Sequence, residues 1–281
     1  MTIAITGATG QLGRLVVEQL KAQVPARDIV ALVRTPAKAA DLGVAAREAD
    51  YSRPETLPAA LAGVDTLLLI SSSEVGQRAA QHRAVIDAAR AAGVRRIVYT
   101  SLLRADTSTL SLAAEHVQTE AMLRESGIPH TLLRNSWYIE NHTVSAKGAV
   151  AAGAFIGSAG QGRISGATRA DYAAAAVAVL TGSGHEGKTY ELGGDVAYTL
   201  ADLAAEIGRQ SGKDIPYKDL PQGDYAAALA SFGLPGWLAA ALAEWDFEIT
   251  KGVLLEEGRT LSSLIGRPTT PLSAAVAQAL A

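Results

Sequence analysis

The sequence predicts an α/β protein, a doubly wound parallel sheet with helices on both faces and a smaller, mostly helical C-terminal lobe. Three observations predict it. Apolar runs that end in small or polar residues, at Thr2–Thr6, Asp28–Arg34, Asp65–Ile70, Arg95–Ser101 and Ile128–Arg134, alternate with stretches of helical periodicity. The first run passes into Gly7-Ala8-Thr9-Gly10-Gln11-Leu12-Gly13 and then into a helix with Leu12, Leu15, Val16 and Leu20 on one face. With 48% apolar residues in 281, the chain has material for a large core or for a large and a small one.

The strand–turn–helix context makes the glycine spacing informative. Gly7 lets the chain leave the strand sharply, Gly10 lets a pyrophosphate approach the backbone, and Gly13 lets the helix pack closely. The first N–H groups of the helix then face the phosphates. A dinucleotide site of the Rossmann type follows, with residues 7–13 as its phosphate loop.

The second strand ends in Arg34-Thr35-Pro36-Ala37-Lys38. An acidic residue at this distance would favour NAD(H) through the ribose hydroxyls. Arginine suits a phosphate monoester instead, so Arg34 predicts NADP(H) in preference to NAD(H); the alternative is a solvated strand-end arginine. Asp50 ends a short third strand and either reaches the adenine or caps the helix begun at Pro54-Glu55. The run 65–70 reads as a buried central strand ending in Ser71-Ser72-Ser73. These hydroxyls lie where a ligand crosses the carboxyl ends of the strands, or they cap the next helix, over about 76–92; His82 within that helix reads as a structural or surface histidine rather than a ligand. Ser101 closes the next strand. In the helix over 112–125, Leu112 and His116 stand four residues apart.

The strand over 128–134 runs into Asn135-Ser136-Trp137-Tyr138-Ile139-Glu140-Asn141. Polar groups beside aromatics fit a carboxamide and a flat ring; the alternative for Trp137 and Tyr138 is packing between lobes. The stretch 146–162 reads as irregular and as a lobe boundary. An alanine-rich helix follows with Asp171 as its cap, then a late strand over 187–193, then a helix that Thr199 and Asp202 start in capping-box fashion. The remainder, with Trp237 and Trp245, reads as short helices. The expected division is a dinucleotide-binding domain over 1–145, with about 163–195 returning to it, and a substrate-covering lobe from about 146–162 and 196–281.

Composition excludes several classes. The absence of cysteine removes disulfides, thiol catalysis and cysteine metal sites, and the five histidines are scattered, so no metal is expected. A net charge of −3 with mixed signs gives no nucleic-acid footprint. No apolar run is long enough to span a bilayer, and the first residues enter a strand directly, so a cytoplasmic protein is expected. Nothing in the sequence bears on the oligomeric state.

The segments Gly7–Gly13, Val33-Arg34-Thr35-Pro36-Ala37-Lys38, Leu69-Ile70-Ser71-Ser72-Ser73-Glu74-Val75-Gly76-Gln77, Tyr99–Leu103 and Leu133–Asn141 together resemble the NmrA-like atypical short-chain dehydrogenases/reductases. More narrowly, they resemble the branch holding the bacterial NAD(P)H:quinone oxidoreductases of the second type and triphenylmethane reductase. The resemblance extends through Thr168–Ala176, His185–Lys188 and Leu264–Thr270. It implies NADPH binding across residues 7–13, Arg34, Asp50, Ser71–Ser73, Asn135–Tyr138, Glu140 and Asn141. It also implies a quinone acceptor near Gln77, Trp137 and Tyr138, and hydride transfer without flavin. The superfamily's Y-x-x-x-K motif is absent. By alignment Leu112 replaces its tyrosine and His116 its lysine, while Ser101 occupies the place of its serine, so Ser101 and His116 are the weak candidates for a proton donor. A quinone fits that loss, because hydride addition leaves a hydroquinone monoanion that water can protonate, whereas a ketone leaves an alkoxide that needs a positioned acid. The alternative is an NADP(H)-binding regulator that catalyses nothing.

Overall fold

The computed structural model describes all residues, Met1–Ala281. The strands are β1 Ile3–Thr6, β2 Ile29–Val33, β3 Ala45–Glu48, β4 Thr66–Leu69, β5 Arg96–Leu102, β6 His130–Asn135, β7 Phe155–Gly157, β8 Thr189–Leu192 and β9 Tyr217–Asp219. The helices are α1 Gln11–Lys21, α2 Leu57–Leu61, α3 Arg78–Ala91, α4 Ala113–Ser126, α5 Glu140–Thr143, α6 Ala146–Ala152, α7 Arg169–Thr181, α8 Leu200–Ser211, α9 Gln222–Ser231, α10 Gly236–Ile249, α11 Thr260–Ile265 and α12 Leu272–Leu280.

Seven strands form one sheet in the order β3-β2-β1-β4-β5-β6-β8, every pair parallel. Parallel strands need crossovers, and the crossover helices cover both faces. The two-residue period of a strand divides β1 between the layers: Ile3 and Ile5 pack with α1 and α7, while Ala4 packs with α2 and α3. The continuous apolar runs of β2 and β4 follow from this two-sided burial.

A second core gathers Trp137, Ile139, Phe155, Ile164, Tyr198 and Ile249 with residues of α6, α8 and α12. It sits beyond the carboxyl end of β6 and roofs part of the sheet edge. The stretch 146–162 is not irregular. Its alanine-rich half forms α6, stopped by Gly153 in the left-handed region, and Phe155–Gly157 pairs in parallel with β9. No helix is long and apolar enough to cross a membrane.

Local capping also differs from expectation. Thr168, not Asp171, caps α7: its hydroxyl accepts from the Asp171 N–H and donates to the Asp171 carboxylate. Asp171 sits one turn inside as the reciprocal partner. The expected box at Thr199 and Asp202 is present. Ser71–Ser73 cap nothing, since α3 begins at Arg78 after Gly76 turns the chain through the left-handed region. Asp50 caps no helix either; its carboxylate accepts from the Ser52 N–H and the Arg53 guanidinium and closes the turn after β3.

Candidate functional site

A cleft of about 780 Å³ runs along the carboxyl ends of the strands. The strand order reverses between β1 and β4, and there the crevice of a doubly wound sheet opens. From β2 to β6 is four strand spacings, about 19 Å at about 4.8 Å each. One end of the cleft is therefore set by Arg34 and Asp50, the other by Ser101, Asn135 and Trp137.

The glycine turn forms the middle. Gly7 has φ +57°, which disfavours any side chain. A Cβ on Gly13 would lie 2.7 Å from Ala8 Cα and closer still to the Gly7 carbonyl oxygen, so Gly13 lets α1 pack directly on the turn. A Cβ on Gly10 would press the Gly7 oxygen at 3.1 Å. No side chain caps α1, its first turn carries no acid, and the N–H groups of Gln11, Leu12 and Gly13 have no acceptor within the protein. Three free donors at a positive helix end form an anion site. Arg14 holds the turn in place, donating to the Thr9 and Lys38 carbonyls and pairing with Asp41 at 2.6 Å.

At the β2 end, Arg34 and Lys38 line the cleft. Arg34 pairs with Glu74 at 3.0 Å, and Lys38 forms no ion pair. Asp50 and Tyr51 lie opposite. The Tyr51 hydroxyl is buried without a partner, and burial pushes its pKa up, so it stays protonated.

Beside the turn, Ser71, Ser72 and Ser73 line the wall. Ser72 donates to Gln81 Oε1 at 2.6 Å, while the Ser71 and Ser73 hydroxyls make no bond within the protein. His82 lies fully buried beneath them and is structural: its Nε2 accepts from the Ser72 N–H, so its Nδ1–H donates to Thr119. Burial lowers its pKa to about 3, so it stays neutral.

At the β5 and β6 end the wall contains Ser101, Leu102, Leu112, His116, Asn135, Ser136, Trp137, Tyr138, Asn141 and, from the C-terminal lobe, Trp245. The Trp137 and Trp245 rings meet edge to face at 6.1 Å. Arg169 lies 4.7 Å over the Tyr138 ring and donates to Asn141 Oδ1 at 2.6 Å. Asn135 Oδ1 and Trp137 Nε1 are buried without partners. An unpaired buried donor or acceptor costs about 1–3 kcal/mol. An acceptor and a donor left open in one wall suit a ligand carrying both, such as a carboxamide.

Both weak candidates for a proton donor are engaged in buried hydrogen bonds. Ser101 Oγ donates to Glu120 Oε1 at 2.7 Å, and Arg134 fixes that carboxylate with bonds of 2.9 and 2.7 Å. Its hydroxyl is thus tied to a carboxylate that a buried pair with Arg134 holds in place. His116 has a pKa well below the ordinary value, chiefly through burial and then through the Arg78 charge, so no imidazolium forms near neutral pH.

Gly7, Thr9, Gly10, Gln11, Leu12, Gly13, Arg34, Asp50, Ser71–Ser73, Ser101, His116, Asn135–Tyr138 and Asn141 thus lie together along one cleft. Three expected residues do not reach its wall. Ala8 buries its methyl in the core under the turn. Glu140 faces α7, accepting from the Arg169 N–H at 2.8 Å. Gln77 is exposed at the start of α3, and its neighbour Arg78, about 100° further round the helix, points into the wall. Arg78 and Trp245 carry no motif, and Arg169 lies in the Thr168–Ala176 segment without being expected at the site.

The chain matches the NAD(P)H-binding family model over residues 7–182. It is 60% identical over 277 residues to quinone oxidoreductase 2 of Escherichia coli strain K12, covering 98% of this chain and 97% of that one. The crystal structure of the E. coli NADPH-dependent quinone oxidoreductase in complex with NADPH superposes with a TM-score of 0.97 at 58% identity, over 100% of both chains. Triphenylmethane reductase of Citrobacter sp. in complex with NADP(H) gives a TM-score of 0.95 at 39% identity, over 99% of this chain and 100% of that one. With a family model spanning most of its length and a full-length relative at 60% identity, the chain belongs to the NAD(P)H-binding family as a close homologue of E. coli quinone oxidoreductase 2.

Proposed function

We propose that the protein is an NADPH-dependent reductase that passes hydride directly to a quinone, without flavin or metal. The observation that carries the reading is the agreement of the whole chain with the E. coli NADPH-dependent quinone oxidoreductase, at a TM-score of 0.97 and 58% identity. The cleft supports it independently. Free N–H groups at α1 fit a pyrophosphate, Arg34 and Lys38 fit a 2′-phosphate, and the open Asn135 and Trp137 atoms fit the nicotinamide carboxamide. No group of His, Asp or Glu side chains gathers as metal ligands.

Bound NADPH supplies hydride to the acceptor. The chain's own residues bind, orient and exclude water. Trp137, Trp245 and Leu112 offer apolar faces against which a flat ring lies, and holding two rings together supplies much of the rate. The tied hydroxyl of Ser101 and the neutral His116 agree with chemistry in which the acceptor needs no acid. The test is steady-state oxidation of NADPH and of NADH by flavin-stripped protein, with a panel of benzoquinones and naphthoquinones. Quinone-dependent turnover with NADPH preferred is expected. NADPH that binds but is oxidised by no quinone would overturn the reading in favour of a regulator.

A further inference from the structure

His116 lines the β5 and β6 end of the cleft together with Ser101, Leu112, Trp137 and Trp245. Its Nδ1 lies 2.7 Å from the Tyr99 hydroxyl. Tyr99 is fully buried, and this is its hydroxyl's hydrogen bond. Two arrangements satisfy that distance. If Nδ1 carried the proton, the Tyr99 O–H would be left as a buried, unpaired donor at about 1–3 kcal/mol. If the Tyr99 O–H donates to Nδ1, both groups are satisfied and the imidazole proton sits on Nε2. The nearby Thr119 hydroxyl, which accepts from His82 Nδ1–H at 2.9 Å and donates to the Glu115 carbonyl at 2.8 Å, forms no hydrogen bond with Tyr99, whose hydroxyl bonds His116 alone. That neighbouring chain has its own direction fixed by the backbone N–H of Ser72.

The second observation concerns the other nitrogen. His116 lines the cleft, and its Nε2 makes no hydrogen bond within the protein. Unlike Trp137 Nε1, it is not sealed from solvent. The ionisable groups around the ring are Tyr99 from β5 and Arg78 and His82 from α3, while Glu115 and Glu120 stand on α4 itself, one residue before His116 and four after it. Arg78 is paired to Glu115 at 3.8 Å and Glu120 to Arg134 at 2.7 Å, so no free carboxylate stands by to draw a second proton onto the ring.

We propose that His116, held by Tyr99 as the neutral Nε2–H tautomer, donates a hydrogen bond to the quinone oxygen on which charge develops, with Tyr99 as the positioning residue. This rests on the quinone reading of the site. The two electrons and the hydrogen come from NADPH as hydride, the quinone becomes the hydroquinone monoanion, and a solvent proton completes the hydroquinone. His116 gives up no proton; it stabilises the oxyanion as a neutral electrophile, which an imidazole can do. A neutral donor also gives rates that do not follow histidine protonation.

The test has two arms. In ¹⁵N-histidine-labelled protein with NADPH and no quinone, the His116 ring should show a protonated Nε2 and a hydrogen-bonded, unprotonated Nδ1 across pH 5.5–8.5. In Tyr99→Phe that pattern should give way to mixed tautomers. In turnover, His116→Ala should lower kcat about 10- to 100-fold, at or below the 10²–10³-fold cost of removing one preorganised oxyanion donor. His116→Gln, which keeps a neutral N–H, should recover most of the loss. Tyr99→Phe should lower kcat with little change in NADPH binding, and the kcat profile of the wild type should be flat from pH 5.5 to 8.5. A protonated Nδ1, an imidazolium in this range, or a Gln variant no better than Ala would overturn the proposal. The labelling arm needs no turnover, so a wrong tautomer is told apart from a wrong acceptor.

Discussion

Replacing Arg34 with alanine probes cofactor choice at a single group. The guanidinium sits at the β2 end of the cleft, its side chain 71% exposed, and pairs with Glu74 at 3.0 Å. A charge-assisted hydrogen bond contributes about 1.5–3 kcal/mol. Two features place Arg34 at the low end. The site is open to solvent and salt, and the phosphate must first displace Glu74, an exposed pair itself worth about 0–1 kcal/mol. A net loss of about 1.5 kcal/mol corresponds to a Kd for NADPH roughly tenfold weaker. The Kd for NADH, which lacks the phosphate, should stay within about twofold. The converse change, Glu74→Gln, frees Arg34 and should tighten NADPH a few-fold, the gain fading with added salt. Isothermal titration of both cofactors against both variants reads these numbers directly. Equal weakening of NADPH and NADH in Arg34→Ala would refute the reasoning, since the arginine would then be serving the turn or a shared group.

Further outcomes follow from the same geometry. Gly10 has an ordinary backbone conformation, with φ −75°, so Gly10→Val should fold by circular dichroism yet lose NADPH binding by calorimetry, because its branches project where the pyrophosphate approaches. Glu120→Ala leaves the Arg134 guanidinium without its best-buried partner and should cost about 3–5 kcal/mol in urea unfolding; a cost below about 1 kcal/mol would show the pair to be incidental. His82 and His116 stay neutral in the folded protein, the first with its pKa lowered to about 3 and the second well below the ordinary value, while the unfolded chain takes up protons below about pH 6.5. The unfolded state then binds more protons, so stability is complete above about pH 6.5 and falls as the pH drops. By pH 5 the loss from His82 is about 2 kcal/mol, and His116 adds to it in the same direction. Urea unfolding at pH 7.5 and 5.0 should show it, and His116→Gln should reduce it; equal stability at the two pH values would contradict the neutral assignment.

The parts of the fold and site legible in the sequence are those encoded by adjacent residues. The glycine turn works through contacts among residues 7–13, so its spacing declares it. The continuous apolar run of β4 declares burial on both faces. Thr168 rather than Asp171 caps α7, a distinction composition does not carry because the two residues bond to each other. Trp245 joins Trp137 across more than a hundred residues, and Arg169 reaches Tyr138 from another helix; such pairs depend on how the C-terminal lobe folds over β6, which no local pattern carries. Arg78 and Gln77 differ by one step around α3, finer than a helix start can be read from sequence. The tie on the Ser101 hydroxyl required the position of Glu120, nineteen residues away on a different element.

The most direct test of the account is stopped-flow mixing of the flavin-free NADPH complex with quinone, with ordinary NADPH and with NADPH deuterated at the transferring position. Direct hydride transfer predicts a single phase of nicotinamide absorbance loss, with a rate that rises with quinone concentration and slows on deuteration. Bound NADPH whose absorbance is unchanged by any quinone, or is lost only when flavin is restored, would contradict it.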